Sequence, residues 1–217
     1  MKKMNFKRIC IYIIGLVILG CGIDLNTKTQ LGVSPIISVA YNIAYLTHIP
    51  LGVMTFLYYV LFVFIQWLLL GKEFDYFQFF QIPASLVTSV FIQFFDNIIP
   101  VANSYPTRIL LLILAIIITA IGASLTVGMK IVPNPADGLA DVIGQKLHRG
   151  FGFGKNVFDC TSLIISLVIG LVFTGGILGI GVGSLISMIL TGRVIALFEG
   201  SISRLYASVS SSDLVED

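Results

Sequence analysis

Two short stretches of the sequence pair a helix-capping residue with a proline. They are Ser34-Pro35 and Asn134-Pro135, which lie 100 positions apart. Ser and Asn are favoured just before a helix, and proline is favoured at its first residue. Helix N-termini carry unpaired N–H groups and about half a positive charge, which favours an anionic group. We therefore assign Ser34, Pro35, Asn134 and Pro135 to a substrate-binding site.

Carboxylates accompany these helix starts. Asp137 and Asp141 follow in NPADGLAD, Asp24 and Asn26 lie in GIDLNT, and Asp159 lies in NVFDCTS. An acidic residue inside a membrane segment is costly unless it is paired or hydrated, so it indicates function. We assign Asp137 and Asp141 to the substrate site, and Asp24, Asn26 and Asp159 to coupling-ion binding or selectivity. The alternative is that these residues only cap helix ends at the membrane surface.

The sequence offers little else that carries chemistry. It contains no Ser/His/Asp or Cys/His set and no metal-binding cluster, so we expect no enzymatic activity, no metal and no cofactor. Five aromatic residues are expected to face lipid or the membrane interface. They are Tyr58, Tyr59, Trp67, Phe79 and Phe80. The glycines between positions 170 and 183 are expected to allow close helix packing.

The composition is that of a membrane protein. Hydrophobic residues make up 57% and charged residues 11% of the chain, and the mean hydropathy is +1.00. Soluble domains have roughly 45–50% apolar and about 25% charged residues. The surplus apolar surface must therefore face a lipid bilayer, and a net charge of +2 gives no reason to expect a nucleic-acid partner. We predict one membrane domain, 1–206, followed by a disordered polar tail, 207–217.

Six apolar runs are long enough, or nearly so, to cross about 30 Å of hydrocarbon. They lie near 9–25, 52–70, 80–99, 108–128, 155–174 and 176–197. Two further segments, 34–48 and 134–147, are shorter, and they either cross or re-enter the membrane. The charges of the second favour a re-entrant, interfacial or cavity-lining helix. The sequence thus predicts an all-α polytopic membrane protein with about six transmembrane helices and two short helices.

The chain resembles itself after a shift of 100 residues. Nine of the 50 residues at 11–60 are identical to those at 111–160, among them two glycines and one proline at loop or helix-start positions. The repeats cover about 9–100 and about 108–199. Each contains three spans, so the two halves must insert with opposite orientations. We predict a 3+3 inverted repeat, in which the two short helices point their N-termini at a common region.

Charge placement predicts the orientation. If the N-terminus is cytoplasmic and neither short helix crosses, only Lys28 and Arg108 of the 13 Lys and Arg residues lie outside. Eleven against two agrees with the positive-inside rule. We predict a multi-pass protein with a cytoplasmic N-terminus.

Three motifs of the second half occur in the order found in a known family. They are Pro135-Ala-Asp137-Gly138-Leu139, Gly154 before a span, and Gly175-Gly176-Ile-Leu-Gly179-Ile-Gly181-Val-Gly183. They resemble the YczE/YyaS/YitT-like family of small bacterial membrane proteins, and Gly32-Val-Ser-Pro35 matches more loosely. Asn134 replaces a glycine of that pattern, and Asn156 and Asp159 stand where the family has an arginine and a glutamate. The resemblance implies the bacterial cytoplasmic membrane and names no substrate.

The function these features favour is transport. We expect a membrane transporter, or a membrane-embedded solute-binding subunit, for a small polar or anionic solute. Its partners would be the bilayer, the solute, and either further copies of the chain or an energising subunit. The alternative is a non-transporting partner or assembly protein that stabilises other membrane components.

Overall fold

The fold is entirely helical. The computed structural model describes residues 6–211, which form eight α-helices and no strand. Two short 3₁₀ helices, Gly71–Glu73 and Tyr76–Phe80, join α3 to α4. The α-helices are α1 (Phe6–Thr27), α2 (Pro35–Thr47), α3 (Leu51–Leu70), α4 (Gln81–Ile98), α5 (Tyr105–Gly128), α6 (Pro135–Lys146), α7 (Phe151–Thr174) and α8 (Val182–Ser211).

Six of the described helices are long and apolar enough to cross a membrane: α1, α3, α4, α5, α7 and α8. The other two contain 13 and 12 residues. At 1.5 Å per residue they reach about 20 and 18 Å, which is shorter than the hydrocarbon core. The predicted class, a polytopic helical membrane protein with six spans and two short helices, is confirmed.

The last helix differs from the prediction at both ends. It begins at Val182 rather than 176, because residues 175–181 form a loop in which Gly175 and Gly179 have positive φ. The loop lets the backbone approach 31–33, where Val33 N donates to Gly179 O at 2.8 Å. Helix α8 also continues to Ser211, so the first five residues of the predicted disordered tail are helical, and 212–217 lie outside the described residues.

Helices α1 and α5 form the most extensive contact among the described helices, and their backbones approach closely. A Cβ at Gly22 would overlap the backbone of Thr119, and one at Gly122 would overlap the backbone of Leu19. Nearer the start of α1, Gly15 faces Leu125. As residue numbers increase along α1, the numbers of their partners on α5 decrease, so the two helices are antiparallel. Small residues at such a crossing allow dispersion contacts between backbones, which drive helix association in lipid.

Helices α2 and α7 lie parallel, joined by buried hydrogen bonds. Asn42 Nδ2 donates to Ser166 O and Oγ, both at 2.8 Å. One turn earlier, Ser38 Oγ donates to Ser162 O at 3.4 Å. Both pairs differ by 124 residues. One more turn towards the N-terminus, the same register brings Asp159 level with Pro35, the first residue of α2.

A buried amide pair fixes the start of α6. Gln66 on α3 and Gln81 on α4 exchange hydrogen bonds of 3.1 and 3.0 Å, and Gln66 Nε2 also donates to Pro135 O at 3.1 Å. Both side chains are almost completely buried. Because lipid offers no hydrogen-bond partners, this network satisfies polar groups that would otherwise be expensive to bury.

Several backbone features recur at a spacing of 100 residues. Among the non-glycine residues, Gln30 and Lys130 have φ of 55° and 50°, and His48 and His148 have φ of 57° and 53°. Ser34 and Asn134 also share nearly the same backbone angles, with φ of −58° and −59° and ψ of 142° and 141°. The two segments therefore enter and leave their short helices in the same way.

The halves differ where their last two helices meet. Helix α3 packs on α4 through Gly52, whose Cβ position is filled by Ser89 O and Gln93 Cβ. Within the described residues, α7 and α8 have no comparable packing. A Cβ at Gly152, the counterpart of Gly52, would meet nothing within 4 Å, and the same holds at Gly192 on α8.

Replacing Gly22 with Ala should lower the free energy of unfolding by about 2 kcal/mol, since even one Cβ overlaps the backbone of α5. Gly122→Ala should have a similar effect. The measurement is unfolding of the purified protein in mixed micelles. Gly200→Ala on α8 is the matched control, because its Cβ would lie in open space. Equal stabilities of the three variants would contradict the proposed contact.

Candidate functional site

A cavity of about 540 Å³ lies between the two halves. Residues from the middle of α1, α3 and α5 line it, together with the starts of α2 and α6, the first turns of α7, and α8. Its polar lining consists of Ser34, Tyr59, Thr119, Asn134, Asp137, Lys155, Asn156, Asp159, Ser187, Thr191 and Arg193. The short helices therefore bring both of their N-termini to one cavity at the level of the middle of the spans.

The lining contains residues that correspond under the 100-residue shift. Four such pairs contribute, two from the central helices α1 and α5, one from the short helices, and one from α3 and α7. They are Leu19 and Thr119, Ile23 and Ala123, Ser34 and Asn134, and Tyr59 and Asp159. A cavity lined by both members of four pairs lies where the two halves meet.

The two helix N-termini differ in how their donors are satisfied. Asn134 Oδ1 accepts a hydrogen bond from Ala136 N at 3.0 Å and so caps α6. Ser34 makes no side-chain capping bond, so the first-turn N–H groups of α2 have no such acceptor. The positive end of α2 is therefore the more available of the two for a group inside the cavity.

Two carboxylates in the cavity share one lysine. Lys155 Nζ lies 3.0 Å from Asp159 Oδ1 and 4.0 Å from Asp137 Oδ1. The exposed fractions of these side chains are 21% for Lys155, 5% for Asp159 and 16% for Asp137. Burial raises the pKa of Asp137, and the positive charge of Lys155 partly offsets this rise.

Two further lining groups have no partner among the residues that the structure describes. Tyr59 is fully buried and its hydroxyl makes no hydrogen bond of acceptable geometry, although the Asn134 side chain lies beside it. Arg193 is exposed at the cavity and forms no ion pair within 6–211. Both groups can donate hydrogen bonds to a bound molecule.

The cavity collects five of the nine predicted site residues: Ser34, Pro35, Asn134, Asp137 and Asp159. Pro135 and Asp141 lie on the same short helix but outside the lining. Pro135 is buried against Gln66, while Asp141 is exposed and accepts a 2.8 Å hydrogen bond from Gln145. The assignment of Asp141 to the substrate site therefore has no support from its position, because it lies one turn beyond Asp137 on α6, exposed and outside the lining.

Asp24 and Asn26 also lie outside the lining. Asp24 is completely buried, with Oδ2 unpaired, and Lys28 pairs with Asp96 at 2.6 Å instead. Asn26 Nδ2 donates to Ser187 Oγ at 3.0 Å. Because Ser187 lines the cavity, Asn26 lies directly behind its wall.

Sequence reasoning missed three ionisable residues of the cavity lining: Tyr59, Lys155 and Arg193. Tyr59 was expected to face lipid, but it is buried in the bundle; its spacing of 100 from Asp159 was the available signal. Lys155 was predicted only as one of the eleven cytoplasmic basic residues, although it lies four positions before Asp159, the spacing of a helical ion pair. Arg193 had no signal, because only the tertiary fold brings α8 to the cavity.

A sequence model described as a family of unknown function, DUF6198, matches residues 6–200, and the chain belongs to that family. No curated protein and no solved structure matches the chain significantly. The resemblance to the YczE/YyaS/YitT-like family stays a prediction. Together with the six candidate spans, the match describes a multi-pass helical membrane protein of this family.

Replacing Lys155 with Met should destabilise the protein by about 3 kcal/mol near pH 7, because it leaves two buried carboxylates without a counter-charge. The loss should shrink as the pH falls towards 5. Without Lys155 the pKa of Asp137 rises further, so the folded state gains a proton more readily than the unfolded state does.

The matched control is Lys146→Met, which removes an exposed ion pair of 3.1 Å with Glu73. It should change stability by less than about 1 kcal/mol at either pH. Unfolding in mixed micelles at both pH values gives the comparison. Equal, pH-independent losses in the two variants would show that Lys155 does not stabilise buried carboxylates.

Proposed function

We propose that the protein is a small membrane transporter, or the membrane-embedded solute-binding subunit of a larger importer, for a small polar or anionic solute. The observation that carries this proposal is the cavity in which two helix N-termini, an ion-paired acid cluster and an unpartnered tyrosine meet. Its volume of about 540 Å³ lies within the range of small-molecule sites, roughly 300–1,000 Å³.

The charges of the cavity support this proposal over a purely structural role. Asp137, Lys155 and Asp159 occupy the interior of a bundle whose outer surface is apolar. Ionisable groups at membrane depth are expensive and usually face water or a ligand. A protein that only packed against others would be as stable, or more stable, with apolar residues at these positions.

We further propose that the halves form an inverted repeat. The antiparallel crossing of α1 and α5, the shared backbone angles at Ser34 and Asn134, and the paired lining residues support it. Transporters built from inverted repeats bind their solutes near the bilayer midplane, at broken or short helices where the repeats meet. The cavity occupies the corresponding place.

The different packing of the last two helices in each half suggests how the cavity opens in turn to the two sides of the membrane. Gly52 closes α3 against Ser89 and Gln93, whereas Gly152 is open. Helices α4 and α8 align at a spacing of 99 rather than 100, with Ser85-Leu86 opposite Ser184-Leu185. The counterparts of Ser89 and Gln93 are then Met188 and Gly192, which line the cavity with Gly152. In the alternative state of the transport cycle, α8 would pack against α7 through Gly152 and Gly192, and α4 would separate from α3.

We place the N-terminus and the mouth of the cavity on the cytoplasmic side of the bacterial cytoplasmic membrane. The charge distribution supports this orientation, since eleven of the 13 Lys and Arg residues then lie inside. The lining reaches Phe151 and Gly152 at the start of α7, which is a cytoplasmic end in this orientation.

A non-transporting assembly protein is the second candidate, and the exposure of α8 favours it. Only 6% of the 18-residue apolar stretch of α8 is buried within the described structure, and Leu197 is 80% exposed. A membrane partner or an energising subunit would cover such a face. We propose that the protein is not an enzyme.

Thermal unfolding of the purified protein against a broad library of metabolites tests the proposed function. A solute at 100 times its dissociation constant should add about 2.7 kcal/mol of stability. Asn134→Ala should abolish this gain, because it removes the cap of α6 inside the cavity.

Ser104→Ala is its matched control, since Ser104 caps α5 outside the cavity by accepting from Thr107 N. It should lose similar intrinsic stability, about 1 kcal/mol, while the gain from the solute persists. If no compound stabilises the protein, the assembly-protein candidate replaces transport. If a compound stabilises both variants as it does the wild type, the solute does not bind at Asn134 and the proposed site is wrong.

Disulfide cross-linking tests the alternating packing. In a background with Cys10, Cys21 and Cys160 replaced by Ser, cysteines at Gly152 and Gly192 should form a bond under mild oxidation, at a rate that a bound solute changes. Both glycines have open space around them now, so the bond requires α8 to approach α7. Failure to cross-link, with each single cysteine still reactive towards maleimide, would rule out this closure.

A further inference from the structure

The ionisable groups that line the cavity balance in charge. Asp137 and Asp159 contribute two negative charges, and Lys155 and Arg193 contribute two positive charges. A solute with a net charge would leave that charge uncompensated in surroundings of low dielectric constant, which is unfavourable. The lining therefore favours a solute whose own charges sum to zero.

A positive and a negative binding element lie side by side at the start of α2. Ser34 leaves the first turn of α2 uncapped. The register between α2 and α7, fixed by the bonds from Ser38 and Asn42, brings Asp159 level with Pro35, and both residues line the cavity. A molecule bound here meets a helix end that attracts an anionic group and a carboxylate that attracts a cationic one.

The hydroxyl of Tyr59 adds a donor to the same cavity, where it lies beside Asn134 at the start of α6. Tyr59 is fully buried, lines the cavity, and lacks a hydrogen-bond partner among the described residues. Ile36, in the first turn of α2, packs against the apolar cluster that contains Tyr59. An unsatisfied buried hydroxyl is costly, so an acceptor from a bound solute would stabilise it.

We infer that the solute is a small zwitterion with its ammonium and carboxylate on the same carbon atom, as in an α-amino acid. Its carboxylate binds at the uncapped start of α2 and at the Tyr59 hydroxyl, and its ammonium binds Asp159. Lys155, now 4.0 Å from Asp137, then pairs with that residue. This inference rests on the proposed function and specifies the substrate class.

The test measures binding of the twenty common amino acids to the full-length protein in nanodiscs. The best binder is then compared with its deamino acid, which lacks the ammonium, and with its decarboxylated amine. We expect both analogues to bind at least about tenfold more weakly, since each leaves one charged group of the site unpaired.

Matched variants locate the site. Asp159→Asn should weaken binding by about tenfold or more, whereas Asp96→Asn, which also removes a lysine-paired carboxylate but outside the cavity, should leave binding unchanged. Tyr59→Phe should likewise weaken binding. Tyr12→Phe should not, because Tyr12 donates to Val132 O away from the cavity.

Two outcomes would overturn the inference. One is an analogue with a single charged group that binds as well as the parent amino acid. The other is that no amino acid binds at all. If a solute of another class binds and Asn134→Ala abolishes its binding, the zwitterion fails while the proposed function stands. If neither the metabolite library nor the set of amino acids contains a compound that binds, both the zwitterion inference and the proposed function fail.

Discussion

The hydrocarbon interior supplies no hydrogen bonds, so every polar backbone group at that depth must find its partner within the protein. Most of this chain obeys the constraint by forming helices that cross completely. The short helices α2 and α6 do not, since at about 20 and 18 Å they begin near the middle of the bundle. Much of the remaining structure is arranged around these two helix starts.

The protein caps the start of α6 with its own side chains and leaves the start of α2 without a side-chain cap. At α6, Asn134 supplies the cap and Gln66 binds the carbonyl of Pro135. At α2, Ser34 supplies no cap, and the nearby Asp159 is held by Lys155 on its own helix. One capped and one uncapped helix start is the arrangement that the proposed solute site at α2 requires.

Much of the fold could be predicted from sequence, because its signals are local. Apolar runs of sufficient length gave the six spans, and the Ser-Pro and Asn-Pro pairs gave the short helices. The boundary of α8 was wrong, because the glycines before Val182 form a loop that packs on 31–33, a long-range contact. Such contacts leave no periodic signal.

The lining of the cavity was only partly predictable, for the same reason. Ser34, Asn134, Asp137 and Asp159, which line it, were singled out through capping chemistry, the cost of charge in a membrane, and the internal repeat. Asp141 was assigned with them because it is acidic and close in sequence, yet it lies one turn further along α6, exposed and outside the lining. Arg193 reaches the cavity only because α8 packs across α5.

The central claim is that a water-accessible solute site lies in the middle of the bundle and opens to the cytoplasm. Labelling of a cysteine at Ser34 tests it most directly, in a background without Cys10, Cys21 and Cys160. A membrane-impermeant thiol reagent needs water and a thiolate, so it should modify Ser34→Cys in inside-out vesicles and not in right-side-out ones. Ile113→Cys, in the middle of α5 and 50% exposed on the lipid-facing surface, should remain unmodified in both. If Ser34→Cys is as unreactive as Ile113→Cys from both sides, the cavity is closed to water and the account is contradicted.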